Sequence, residues 1–213
     1  TLRRFTEEAF MTKIKICGCR TPADIQHAAE AGADFVGMVV AENTKRYVPT
    51  EDRSSLLAAA RDFEIPLVCV LRDNPKPKDQ SEAENWYPGD MVQWHGQEDS
   101  SWSLVDSRPS IRAVSGAKGL IHHAGFPCRH VLLDHDQPGS GQTFDWGSLN
   151  GVNLPEEWFL AGGLNSGNVG EAIRTLKPWA VDVSSGVESS PGVKCREKIQ
   201  SFVDAVRRVD QNA

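Results

Sequence analysis

Eight short apolar runs, separated by segments of different character, constrain the fold of this chain more than any other feature. They are Lys13 to Cys17, Phe35 to Val40, Leu67 to Leu71, Met91 to Trp94, Ile111 to Val114, His130 to Asp134, Trp158 to Ala161 and Ala180 to Val183. The runs have the length and β-rich content of strands, and the alternation predicts parallel strands joined by crossovers. An α/β (β/α)8 TIM barrel is built from eight such units. A length of 213 residues is near the lower end for that fold and leaves no room for a second sizeable domain. Residues 11–213 are therefore expected to form a single barrel domain. Residues 1–10 are read as an N-terminal extension that carries Arg3, Arg4, Glu7 and Glu8 and lacks the apolar run of a secretory signal.

Helix signals are clearest at the two ends. Thr21-Pro22-Ala23-Asp24 supplies an N-cap, a proline at the first helical position and an acid at the third, followed by a stripe of Ile25, Ala28, Ala29 and Gly32. Val169, Ala172, Ile173 and Leu176 form a second stripe, and Ile199, Phe202, Val203 and Val206 a third. The middle is poorer. The segments 72–90, 95–110 and 115–129 are polar and broken by Pro75, Pro77, Pro88, Gly89, Pro109, Gly116 and Gly119, so the middle crossovers are expected to be short or irregular.

Net charge and cysteine use narrow the partners. A formal charge of −6 argues against a general nucleic-acid surface while permitting a local basic pocket for one anionic metabolite. No window holds the ~18 apolar residues of a membrane span. Five cysteines, an odd and scattered set, favour reduced thiols and a cytoplasmic location.

The ends of the runs carry the chemistry. Phe159-Leu160-Ala161-Gly162-Gly163-Leu164 and Ala180-Val181-Asp182-Val183-Ser184-Ser185-Gly186 are apolar strands ending in small residues, with a helical stripe between them. Glycines let backbone approach an anion, and N–H groups and serine hydroxyls supply donors, so the pair reads as a phosphate cradle of the kind barrels build after their last two strands. Cys17 closes the first run, at the barrel end where active sites of this fold lie; a base or nucleophile and a small buried hydrophobe are both open readings. Cys17-Gly18-Cys19 makes a poor metal site, since no second ligand pair accompanies it. Asp134 closes the sixth run, as an acid or as a helix cap. Arg46 follows the second run, as an anion contact or a solvated side chain. Gln93 and His95 end the fourth and are expected to bind substrate, with catalysis or local hydrogen bonding as open readings of His95.

In that order, Lys15-Ile16-Cys17-Gly18, Lys45-Arg46-Tyr47, Val92-Gln93-Trp94-His95-Gly96, Leu132-Leu133-Asp134, Gly139 to Trp146, Ala161-Gly162-Gly163-Leu164 and Val181 to Glu188 resemble the phosphoribosylanthranilate isomerase family, from about Met11 to Val209. The resemblance implies a barrel that converts N-(5-phosphoribosyl)anthranilate to 1-(2-carboxyphenylamino)-1-deoxyribulose 5-phosphate in tryptophan biosynthesis, with no cofactor and no metal. It implies that Cys17 is the general base and Asp134 the general acid, and that Arg46 holds the anthranilate end with Asp182 nearby. It also assigns Gly162, Gly163, Ser184, Ser185 and Gly186 to the phosphate. A free carboxyl titrates near ~3.9 and a thiol near ~8.5, so the site is expected to raise the first and lower the second. The partner is then a small phosphorylated substrate, with oligomeric state open. Cys19 and Trp94 depart from the family's usual aliphatic residue and leucine. Another phosphosugar enzyme on the same barrel and a non-catalytic phosphometabolite binder are the competing classes.

Overall fold

The computed structural model describes residues 11–116, 119–120, 125–134, 149 and 152–212. Eight parallel strands close into a barrel in sequence order: β1 (Lys13–Cys17), β2 (Phe35–Val39), β3 (Leu67–Leu71), β4 (Met91–Trp94), β5 (Ser110–Ser115), β6 (His130–Asp134), β7 (Trp158–Leu160) and β8 (Ala180–Val183). Closure is made by β1 pairing with β8, Lys15 opposite Asp182 and Ile16 opposite Val183. The strands agree with the sequence expectation to within one residue at either end. Val40 and Ala161 fall just outside β2 and β7, although their N–H groups still donate to Val70 and Leu133.

Alternation along the strands separates two apolar layers. Ile14, Ile16, Val36, Met38, Val131, Leu133 and Val181 face outward into the helical layer. Cys17, Val68, Val70, Met91, Ile111, Leu132, Phe159 and Ala180 fill the interior. At the strand starts Phe35, His130, Phe159 and Trp179 plug the barrel, with the His130 and Trp179 rings stacked at 4.8 Å. Polar chemistry is thereby confined to the opposite, C-terminal mouth.

The first helix, α1 (Pro22–Ala31), starts as its sequence predicts. Thr21 accepts from Asp24 N–H, the Asp24 side chain reaches back to Thr21 N–H, and Gly32 ends the helix at φ 93°. Such an N-cap is worth about 1 kcal/mol. Next comes α2 (Thr50–Asp62), which buries Arg53, Leu56, Ala59 and Ala60, with Leu57 half-buried against the core. The crossover after β3 holds the seven-residue α3 (Gln80–Trp86), capped by Asp79, and the one after β4 a 3₁₀ turn at Ser100–Leu104. The expected shortening is thus observed in both; the crossover after β5 lies partly outside the described residues. The stripes in α4 (Val169–Leu176) and α5 (Arg196–Asp210) bury Val169, Ala172, Ile173, Ile199, Phe202, Val203 and Val206 as expected. Between β8 and α5 the chain adds a 3₁₀ turn, Ser185–Val187, and a small hairpin of β9 (Glu188–Ser190) with β10 (Val193–Lys194). Among the described residues no helix is long and apolar enough to cross a membrane.

Candidate active site

Cys17 is the last residue of β1 and Asp134 the last of β6, so both are delivered to the mouth by strands that the outer layer holds rigidly. Both are nearly buried, at 8% exposure each. Cys19, two residues beyond Cys17, belongs to the outer layer and donates to Ile16 O at 3.6 Å. The two thiols therefore occupy different compartments and do not form a chelating pair. Among the described residues no group of three or more His, Cys, Asp or Glu is placed to hold a metal ion.

Asp134 is reached from β4. Gln93 points into the barrel, and its Nε2 donates to His95 Nδ1 at 3.1 Å, which leaves the imidazole proton on Nε2, 3.3 Å from Asp134 Oδ2. The buried Gln93 Oε1 has no partner among the described residues. Gln93, His95 and Asp134, read from separate strand ends, thus form one chain.

Cys17 sits among cations. Lys15, wholly buried two residues earlier on the same strand face, places Nζ 2.8 Å from Asp182 Oδ1. Burial opposes its charge, but Asp182 and Cys17 outweigh that and hold Lys15 above the ordinary lysine range. Removing one partner of such a buried pair typically costs ~3–5 kcal/mol. For Cys17, burial pushes the thiol up and Lys15 draws it down; the net direction is upward. The expected lowering is therefore not the resting condition of this site, because desolvation of a thiolate inside the barrel exceeds what the neighbouring cations return. Alkylation of Cys17 by iodoacetamide, followed by peptide mass mapping, should accordingly rise with pH through a midpoint above the ordinary thiol value of ~8.5. A midpoint well below that value would contradict the burial argument.

Arg46 lines a cleft of about 560 Å³ beside the mouth, together with Lys45, Arg72, Ser185 and Glu188. Its Nε and Nη2 donate to the two Glu188 carboxylate oxygens at 2.7 and 2.9 Å. Lys194, opposite Glu188 in the hairpin, adds 3.0 Å to the same carboxylate and 3.1 Å to Ser184 O. Burial works against the Glu188 charge, but Arg46 and then Lys194 prevail and hold its carboxyl below the usual range. Asp182, expected near Arg46, pairs with Lys15 at 2.8 Å.

The ends of β7 and β8 touch. A Cβ on Gly186 would lie 2.0 Å from Leu164 O, so only glycine permits this approach. Asn168 Nδ2 donates to Gly163 O at 3.0 Å, and Asn168 Oδ1 accepts from Asn165 N–H at 2.8 Å, tying the first loop down. Among the described residues the N–H groups of Gly162, Gly163, Ser185 and Gly186 find no acceptor. They form a rim of donors suited to an anion. The expected Gly139 to Trp146 motif lies outside the described residues, apart from which every singled-out residue lies at or beside the C-terminal mouth.

Lys15, Lys194 and the pairing role of Glu188 were not assigned from sequence. A signal existed for Lys15: a lysine two residues before Cys17 shares its inward face, and the inward Asp182 of the adjoining strand carries the opposite charge.

A family model described as N-(5'phosphoribosyl)anthranilate (PRA) isomerase matches residues 14–205. The N-(5'-phosphoribosyl)anthranilate isomerase of Dechloromonas aromatica is 39% identical over 208 residues, covering 94% of this chain and 99% of its own. That of Streptococcus gordonii is 38% identical over 197 residues, with 92% and 98% covered. Among solved structures, phosphoribosyl anthranilate isomerase from Thermotoga maritima superposes with a TM-score of 0.82 at 30% identity, covering 93% of this chain and 100% of that one. A phosphoribosyl anthranilate isomerase in complex with reduced 1-(o-carboxyphenylamino)-1-deoxyribulose 5-phosphate superposes at 0.80 with 29% identity and the same coverage.

Proposed function

The chain belongs to the N-(5'-phosphoribosyl)anthranilate isomerase family, and we propose from that premise that Cys17 is the base and Asp134 the acid of its reaction. The enzyme is an aldose–ketose isomerase of tryptophan biosynthesis, converting N-(5-phosphoribosyl)anthranilate to 1-(2-carboxyphenylamino)-1-deoxyribulose 5-phosphate by Amadori rearrangement. The observation that supports the two roles best is that a thiol and a carboxyl end β1 and β6 of one closed barrel, at the same mouth.

Asp134 delivers a proton to the furanose ring oxygen as the bond from that oxygen to C1 breaks, while the anthranilate nitrogen lone pair forms a C1 iminium. Cys17, as thiolate, removes the proton from C2, and that electron pair makes the C1–C2 double bond of an enolamine. Proton gain at C1 and loss from the C2 hydroxyl complete the ketose. The iminium adds a second positive charge to that of Lys15 near the sulfur, so the thiolate is favoured at the stage that needs it. His95, with Gln93 behind it, holds the Asp134 carboxyl in place. Arg46, oriented by Glu188 at the cleft, faces the anthranilate carboxylate.

The N–H rim of Gly162, Gly163, Ser185 and Gly186, with Ser184 beside it, takes the phosphate. Gly186→Ala drives a methyl into Leu164 O and separates the two loops. Affinity for the reduced product analogue, measured by calorimetry, should fall about tenfold or more, since one well-placed charge-assisted hydrogen bond is worth about 1.5–3 kcal/mol. Unchanged affinity in the folded variant would remove the cradle from this position. Residues 11–213 act as one catalytic domain on this reading. The odd, scattered set of five cysteines suits the reducing cytoplasm, and the net charge of −6 disfavours nucleic acid or an anionic membrane as partner.

A further inference from the structure

The acid and base assignments leave the buried lysine under the mouth without a purpose. Lys15 and Cys17 share the inward face of β1, and Lys15 Nζ is fixed 2.8 Å from Asp182 Oδ1 on β8. Gly37 stands opposite Cys17 on β2, and a Cβ there would lie 2.9 Å from Cys17 Sγ and 3.3 Å from Lys15 Nζ. Thiol and ammonium therefore flank one small space that the absence of a side chain keeps open. We propose that Lys15 is a positioning residue for this isomerase: its ammonium, held by Asp182, supplies the charge that lets Cys17 exist as a thiolate inside the barrel, and Gly37 provides the room for the two to meet. The proposal rests on the reading of Cys17 as the base.

Among the described residues, the charged groups that act on Cys17 are Lys15 on β1, Arg46 after β2, Asp182 on β8 and Lys194 on β10, with the Cys19 thiol on the outer side of the strand. Asp182 works against a thiolate. Arg46 spends two donors on Glu188, and Lys194 is shared between Glu188 and Ser184. Of these cations Lys15 draws the thiol down most, and it shares the small space beside Gly37 with the sulfur. Asp182 then has the role of keeping Lys15 charged in a place where burial favours the neutral amine.

The test is the pH dependence of Cys17 alkylation by iodoacetamide, mapped by mass spectrometry in the full chain, with turnover measured alongside. In Lys15→Met the midpoint should rise by about 1 unit or more, the size of losing an opposite charge next to a titrating group. Turnover at neutral pH should fall about tenfold or more, with KM within about twofold, because the thiolate fraction falls with each unit of that rise. Lys15→Met leaves Asp182 uncompensated; Lys15→Met combined with Asp182→Asn removes the stranded charge, and because Asp182 itself opposes the thiolate, the midpoint should there rise in the same direction by less. Gly37→Ala keeps every charge while forcing Sγ and Nζ apart, and it should also raise the midpoint. An unmoved midpoint in the folded variants overturns the proposal. A raised midpoint with parent turnover overturns it differently, by showing that the Lys15 charge reaches Cys17 but that Cys17 is not the base.

Discussion

Asp134→Asn is expected to lower kcat by about 10² to 10⁴, the usual loss when one general acid is removed, while ligand binding survives. The amide keeps the shape of the carboxyl and can still meet His95 Nε2, which lies 3.3 Å from the present Oδ2. It cannot deliver a proton acidic enough to open the ribose ring. The interaction removed is one made in the transition state, so kcat and kcat/KM should fall together. Fluorescence-monitored turnover and calorimetric binding of the reduced product analogue separate the two effects. A folded Asp134→Asn enzyme with near-parent turnover would show that another residue is the acid.

The second large effect is a contrast between two cysteines separated by one glycine. Cys17→Ala should remove turnover, again by at least about 10², and leave binding of the product analogue nearly intact. Cys19→Ala should leave kcat close to the parent value. Cys19 is wholly buried in the layer between barrel and helices, where its loss costs about 1 kcal/mol of stability, the scale of one small apolar group. Thermal unfolding should register Cys19→Ala more than the assay does. Equal, modest losses of activity at both positions would mean that Cys17 is also a packing residue.

The barrel was legible because its strands are short, apolar and bounded by turn residues, and because a parallel sheet buried on both faces leaves that mark on every strand. The α1 cap was legible for a local reason: Thr21, Pro22 and Asp24 act within four residues of one another. By contrast α2 gave little signal, since its core face is Leu56, Ala59, Ala60 and the buried Arg53, whose Nε donates to Val48 O and whose Nη1 donates to Trp86 O. A buried arginine reads as surface in sequence until its carbonyl partners are known. The hairpin after β8 escaped for another reason, as strands of three and two residues around Pro191-Gly192 have no period to detect.

Within the site, sequence order placed Cys17, Asp134, Gln93, His95 and the two glycine and serine loops at strand ends, and the structure brings these ends to one mouth. It did not show which charges pair. Arg46 and Glu188 are 142 residues apart, and Lys15 and Asp182 are 167 apart. Only barrel closure sets those distances, and the pairing of Asp182 with Lys15 becomes visible with the register of β1 on β8. The direction in which Cys17 titrates was equally out of reach, because it depends on a balance between burial and cations that no single motif contains.

The central claim, isomerisation carried by Cys17 and Asp134, is tested most directly by following the loss of anthranilate-type fluorescence from freshly made N-(5-phosphoribosyl)anthranilate with the parent enzyme and the two single variants side by side. The account predicts rapid conversion to 1-(2-carboxyphenylamino)-1-deoxyribulose 5-phosphate by the parent, and conversion slower by at least about 10² in folded Cys17→Ala and Asp134→Asn proteins that still bind the product analogue. Absence of conversion by the folded parent, or parent-level conversion by either variant, would contradict it.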